Sequence, residues 1–159
     1  MTGKARLRRA RLADAGGIFE LEAHFSSDRM SLRSVKSLLR SKSARIWVAV
    51  MPRSPAAAPH VAAALILLTR RGTRVARIYS IVVAPEARGQ GLAARLLRGA
   101  EAEARTARCH EMSLEVREDN LAARALYARC GYAEVALLPA YYDDGGDGVS
   151  LRKLLALSR

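Results

Sequence analysis

Apolar and polar positions alternate with period two from Lys4 to Arg11, which predicts a first strand. Asp14 is placed to cap a helix over about 15–25. Ser31 is placed to cap a second helix reaching about Arg40, with Leu32, Val35, Leu38 and Leu39 on one face. Ile46–Val50, Val61–Thr69 and Val75–Val83 read as strands. The first two are separated by a proline-rich loop, Pro52–Pro59, and the last two by the turn Arg70-Arg71-Gly72-Thr73. Three strands joined this way predict an antiparallel meander.

The rhythm changes after Val83. Pro85 and Gly89 break the chain, and Leu92, Leu96 and Leu97 open a helix running to about Ala107. Met112–Val116 is a strand, Asn120 caps a helix over about 121–129 that Gly131 ends, and Tyr132–Leu138 and Val149–Leu155 are the last strands. The loop Pro139–Gly148 between them carries two tyrosines, three aspartates and three glycines. There is no internal repeat and no interdomain linker. The pattern predicts one α+β domain over 1–159, built on a mixed sheet flanked by helices.

Composition narrows this reading little. A chain of 159 residues with 50% hydrophobic and 26% charged positions buries a core without disulfides or metals. Cys109 and Cys130 form no ligand-spaced set, and His24, His60 and His110 lie far apart, so no metal site is expected. The longest apolar run, Val61–Leu68, is far shorter than the roughly 20 residues of a membrane-spanning helix. The basic N-terminus is followed by no apolar stretch, and a cytoplasmic location is expected. Charge is informative. Residues 1–80 hold 16 Lys/Arg against 4 Asp/Glu, whereas residues 81–159 hold 11 of each, so the whole +12 excess lies in the first half. That half suits a ribosomal surface, a nucleic acid or another acidic partner, or is simply a solvated face. Aromatic residues are 5% of the chain and do not interleave with these arginines, so a base-stacking platform is unsupported.

Candidate chemistry begins where the Ile78–Val83 strand runs into Arg88-Gly89-Gln90-Gly91-Leu92-Ala93 and then a helix. The first N–H groups of a helix lack intrahelical partners, and its dipole favours an anion there. Gly89 and Gly91 let a diphosphate approach the backbone, Ala93 is small, and Arg88 adds positive charge. Gly89-x-Gly91-x-x-Ala94 also fits a dinucleotide fingerprint, but that motif follows its strand by a tight turn inside a parallel βαβ unit. Here Ala84–Arg88 intervene after a hairpin. A purely structural glycine loop remains the plain alternative.

Arg88–Ala93 fits, at every defined position, the phosphate-loop pattern Arg/Gln-x-x-Gly-x-Gly/Ala. In that respect the chain resembles the GCN5-related N-acetyltransferase (GNAT) superfamily, and the likeness runs from Ile78 to Lys153. Leu114-Glu115-Val116-Arg117, Asn120, Ala125-Leu126-Tyr127, Gly131-Tyr132 and Tyr141-Tyr142 with their acidic, glycine-containing loop resemble the ribosomal-protein-alanine N-acetyltransferase subgroup. The resemblance implies a mostly antiparallel GNAT sheet, acetyl-CoA as acetyl donor, and direct attack of an amine on the thioester. It implies that Arg88, Gly89, Gln90, Gly91, Leu92, Ala93 and Ala94 hold the pyrophosphate and that the backbone of Ile81, Val82 and Val83 receives the pantetheine arm. Asn120 matches a cofactor contact, or is only a helix cap.

The same resemblance places a catalytic base at Glu115 and a general acid at Tyr127. Strand alternation sets Ser113 and Glu115 opposite Leu114 and Val116, unless the strand end is splayed. The plain alternatives are a surface carboxylate paired with Arg117 or Arg124, and a tyrosine filling the helix–sheet interface. Tyr141 and Tyr142 are implied to meet the acceptor, with Asp143, Asp144 and Asp147 either attracting its ammonium or only solvating a turn. Arg117 and Glu118 read as surface residues. The subgroup's Phe-Pro-Trp-Ser segment is replaced by Phe25–Ser31, which opens the acceptor question. The first choice is an N-terminal α-amine of a protein or peptide; the others are a lysine side chain or a small-molecule amine. Outside enzymes, the alternatives are a non-catalytic acetyl-CoA-binding domain and a ribosome- or nucleic-acid-associated one.

Overall fold

A computed structural model describes residues 4–24, 30–52 and 56–156. Its strands are β1 (Arg6–Arg9), β2 (Ala44–Met51), β3 (His60–Leu68), β4 (Val75–Val83), β5 (Glu111–Arg117), β6 (Ala133–Leu138) and β7 (Gly148–Leu154). The helices are α1 (Ala15–Ala23), α2 (Leu32–Arg40), α3 (Leu92–Thr106) and α4 (Leu121–Arg129). The strands follow the order β1-β2-β3-β4-β5-β7-β6. β1–β2, β2–β3, β5–β7 and β6–β7 pair antiparallel, and β4–β5 pairs parallel. The α+β class and the mixed, mostly antiparallel sheet are as expected from the sequence. Among the described residues no helix is long and apolar enough to cross a membrane.

Contacts group the chain into two compact units. The first comprises Met1–Leu68 and Tyr79–Glu103, the second Thr69–Ile78 and Ala104–Arg159. In the first unit Ile18, Val35, Val48, Leu65, Ile66, Leu67, Leu96 and Leu97 are fully buried. Gly17 lets α1 lie close on β3, since a Cβ there would stand 2.8 Å from Val61 Cγ2. Ser31 caps α2 as its position predicts, its Oγ accepting the Ser34 N–H at 3.1 Å.

Two expectations in this unit need correction. The first strand is shorter than the 4–11 alternation predicts, because Arg11 leads into a 3-10 turn over Leu12–Asp14. Asp14 does not cap α1 with its side chain. Its carboxylate instead accepts the Arg11 N–H at 2.6 Å and both terminal nitrogens of Arg8, at 2.8 and 3.0 Å. A guanidinium within reach outcompetes the uncharged N–H donors of the helix start. Residues 25–29 and 53–55, which include most of the Phe25–Ser31 segment and part of the proline loop, lie outside the described residues.

The second unit is built on β5 and β7, where Met112, Leu114 and Leu151 are buried. In β5 Met112, Leu114 and Val116 are buried as the alternation predicts and Glu115 is half-exposed between them, but Ser113, on the same face as Glu115, is buried too, so that face is covered at Ser113 and opens at Glu115. Asn120 caps α4 by accepting the Ala123 N–H at 3.1 Å, and Gly131 ends it at a φ of 91°.

Candidate active site

In the first unit, β4 passes through a 3-10 turn (Pro85–Ala87) to an exposed loop, Arg88–Gly91, at the head of α3. Gly89 and Gly91 have φ of 79° and 71°, a region that a side chain makes costly. A Cβ built at either meets no protein atom within 4 Å, so open space lies over the loop. Leu92 is buried and anchors the first turn of α3, while Ala93 and Ala94 are half-buried. The chemistry of this donor set, backbone N–H groups at a helix start with an arginine, fits a diphosphate. Pairing of β4 with β5 covers Val75–Arg77, while β4 itself continues to Val83. Ile81, Val82 and Val83 therefore lie beyond that register.

In the second unit, β5 presents Glu115 with its side chain 22% exposed. Its Oε2 accepts from Arg77 Nε at 3.1 Å. Arg117 and Arg124, the partners that the plain alternative offered it, are not the ones used. Arg117 bonds Asp144 at 2.9 Å and Arg124 bonds Glu134 at 2.7 Å, each nearer in the fold to those carboxylates. Tyr127, on α4, is 5% exposed, and its ring meets that of Tyr132 edge-on with centroids 5.9 Å apart. It fills an interface, and that same packing fixes where its hydroxyl sits.

The loop before β7 is ordered by its own carboxylates. Asp147 accepts the Ala140 N–H at 2.8 Å, and Asp144 accepts the Gly146 N–H at 2.9 Å as well as Arg117. These two aspartates hold the turn, which favours the structural alternative for them. The rings of Tyr141 and Tyr142 pack edge-on at 5.0 Å, and the Arg117 guanidinium lies 4.4 Å from the centre of the Tyr142 ring. Arg117, read from sequence as a surface residue, is thus what clamps Tyr142.

Electrostatics tie these residues together. Burial pushes the Tyr127 phenol above its ordinary range, and Cys130 and Tyr142 push it further the same way. Burial and then Tyr141 raise the Tyr142 phenol, Arg117 opposes them, and Glu115 adds to the rise. Both phenols keep their protons at neutral pH. Arg77 is the residue that sequence reasoning missed. No sequence signal pointed to it, because the parallel register Arg77↔Ser113 is what brings Arg77 to the face that Ser113 shares with Glu115. Asn120 uses its Oδ1 as the α4 cap.

Residues 20–132 match the profile of the acetyltransferase (GNAT) family. The chain is 42% identical over 77 residues to an uncharacterized N-acetyltransferase of Methanocaldococcus jannaschii, a stretch covering 48% of this chain and 49% of that one. It is 36% identical over 72 residues to a Bacillus subtilis protein provisionally named as a ribosomal-protein-alanine N-acetyltransferase, covering 45% and 48%. The matched stretch thus spans about half the length of each of these relatives. The fold is that of the ribosomal-protein-alanine N-acetyltransferase crystal structure from Escherichia coli, with a TM-score of 0.81 at 21% identity over 98% of this chain and 97% of that one.

Proposed function

This chain belongs to the acetyltransferase (GNAT) family, and from that premise we propose that it transfers an acetyl group from acetyl-CoA directly to a primary amine, with a protein or peptide N-terminal α-amine as the acceptor. The observation that carries this reading is the set within the second unit. A half-exposed carboxylate, Glu115, is held by Arg77, and a buried phenol, Tyr127, keeps its proton. When bound, acetyl-CoA supplies the thioester carbonyl and the thiol leaving group.

Glu115 removes the proton that makes the incoming amine an ammonium, directly or through one water. Tyr127, protonated at neutral pH, hydrogen-bonds the departing sulfur and hands over its proton as negative charge builds there. Arg88 and the N–H groups from Gly89 to Ala94 hold the pyrophosphate, and Ile81, Val82 and Val83 supply backbone donors and acceptors to the pantetheine arm, as an added strand would. Asn120 contributes from the start of α4. Tyr141 and Tyr142 line the acceptor's approach.

Two arguments favour an α-amine. Neutralising it at pH 7 costs about 1.2 kcal/mol, against about 4.6 for a lysine side chain. A single carboxylate with an arginine on one oxygen is suited to the smaller task. The Bacillus subtilis relative, provisionally named for action on a ribosomal-protein alanine, supports the same choice. The test is an acceptor screen with acetyl-CoA across N-terminal peptides, lysine peptides with blocked N-termini, and small amines and polyamines. Mass-resolved acetylation of N-terminal peptides is expected. Turnover confined to lysine peptides or small amines overturns the acceptor. No turnover with any amine, together with retained acetyl-CoA binding, assigns the chain to the non-catalytic class.

A further inference from the structure

The first unit contains a basic recess far in sequence from Arg88–Ala94. Lys4, Arg6, Arg8 and Arg11 line a cavity of about 530 Å³, with Val50 and Val61 among its apolar walls. The arrangement follows from the local fold. β1 is an edge strand, and alternation sends Arg6 and Arg8 to the same face. The 3-10 turn then brings the Arg11 backbone to Arg8, because Asp14 accepts from the Arg11 main-chain N–H and from the Arg8 guanidinium, and the Arg11 side chain lines the same recess.

Among the described residues Asp14 is the one acidic residue lining the recess, and it is committed to Arg8 in a two-pronged pair. Lys4, Arg6 and Arg11 have no ion pair among the described residues. Three cations with no ion-pair partner, of which Arg11 alone feels the Asp14 charge, repel each other around one concave space and focus a positive potential into it. Such a site is completed by an anion.

A second observation gives the anion its shape. α2 packs against the same 3-10 turn. It carries Arg33, Lys36 and Arg40 exposed at the spacing i, i+3, i+7, which is one helical face. No Asp or Glu occurs between Asp28 and Glu86 to interrupt this charge. A compact anion would need only the recess; a row of cations on the neighbouring helix suits repeated negative charge.

We propose that this recess and the outer face of α2 bind the phosphodiester backbone of a nucleic-acid strand. Among the described residues no aromatic side chain lines the recess, so the contact reads charge and not bases. The site shares no residue with the acetyl-transfer reading, and the two can fail separately.

The test measures anisotropy of a labelled 20-nucleotide single-stranded RNA titrated with the full chain from 50 to 300 mM salt, with a poly-glutamate peptide as competitor. Three phosphate contacts in the recess give a log–log salt slope of about −2 or steeper, at about −0.7 per contact for single strands. Arg6→Gln/Arg11→Gln is expected to weaken RNA binding about tenfold or more near 100 mM salt and to flatten the slope by about 1.4. Acetyl-CoA-induced thermal stabilisation in the double variant is expected to persist, which shows that the fold is intact. Wild-type RNA affinity in the double variant overturns the proposal. So does poly-glutamate displacing the RNA at equal charge concentration, which would assign the recess to an acidic protein.

Discussion

Arg77 Nε stands 3.1 Å from Glu115 Oε2, joining β4 to β5 where the two strands run parallel. Both side chains are partly exposed, 44% for Arg77 and 22% for Glu115. An ion pair of that exposure contributes about 0.2–1 kcal/mol, so its importance lies in orientation. Arg77→Gln is expected to shift the melting temperature by no more than about 4 °C, on the scale of about 2–4 °C per kcal/mol for a chain of this size. It is also expected to lower kcat and to change the pH profile of kcat/KM. A variant with wild-type kcat and an unmoved profile removes Arg77 from the positioning of Glu115.

Glu115→Gln and Tyr127→Phe separate chemistry from binding. Each keeps the shape of its side chain and deletes one proton-transfer group, so kcat is expected to fall about 10²- to 10⁴-fold. Acetyl-CoA affinity, measured by calorimetry, should stay within a few-fold of wild type. Tyr127→Ala is different, because the ring is buried against Tyr132. Its loss is expected to destabilise the fold by about 3–5 kcal/mol, as large-to-small aromatic substitutions in cores do. Undiminished turnover in Tyr127→Phe would leave the residue a packing role only.

The glycine loop predicts a ligand-dependent stability. Acetyl-CoA at about 100 times its Kd should stabilise the native state by about 2.7 kcal/mol, a rise of roughly 5–10 °C in melting temperature. Gly89→Ala and Gly91→Ala force a side chain into the left-handed region, at about 1–2 kcal/mol each. The added Cβ meets no protein atom, so any further loss of acetyl-CoA affinity reports on the space over the loop. Equal thermal shifts in wild type and both variants would remove this loop from the cofactor site.

Local pattern carried the elements well wherever one force set them. The β4 bounds, the Ser31 and Asn120 caps and the Gly131 stop all follow from alternation or from a single hydrogen bond. Ion-pair choice was not legible, because it depends on register between strands distant in sequence. Glu115 takes Arg77, 38 residues before it, and not the nearby Arg117. Asp14 shows the same limit at short range: sequence offers it a helix start, and β1 offers it Arg8, which wins. The Arg117–Tyr142 stack likewise needs the turn that Asp144 and Asp147 close.

That choice at Asp14 has a pH signature. The Arg8 hydrogen bonds hold its carboxyl below the ordinary value of 3.8; burial opposes this, and the Arg11 N–H and the nearby charges add to the lowering. A carboxylate whose native pKa is depressed contributes stability in full above its unfolded pKa and loses it as pH falls through the native value. Asp14→Asn is therefore expected to destabilise the protein at pH 7 by about 2 kcal/mol, the scale of a charge-assisted hydrogen bond. Denaturant melts from pH 7 downward should show a constant gap between variant and wild type until about pH 4, then a narrowing as the wild-type Asp14 takes up its proton. The narrowing distinguishes loss of charge from loss of packing, because asparagine fills nearly the same volume at every pH. A gap that stays constant well below pH 3.8 would show that the Arg8 pair contributes nothing to folding beyond its shape.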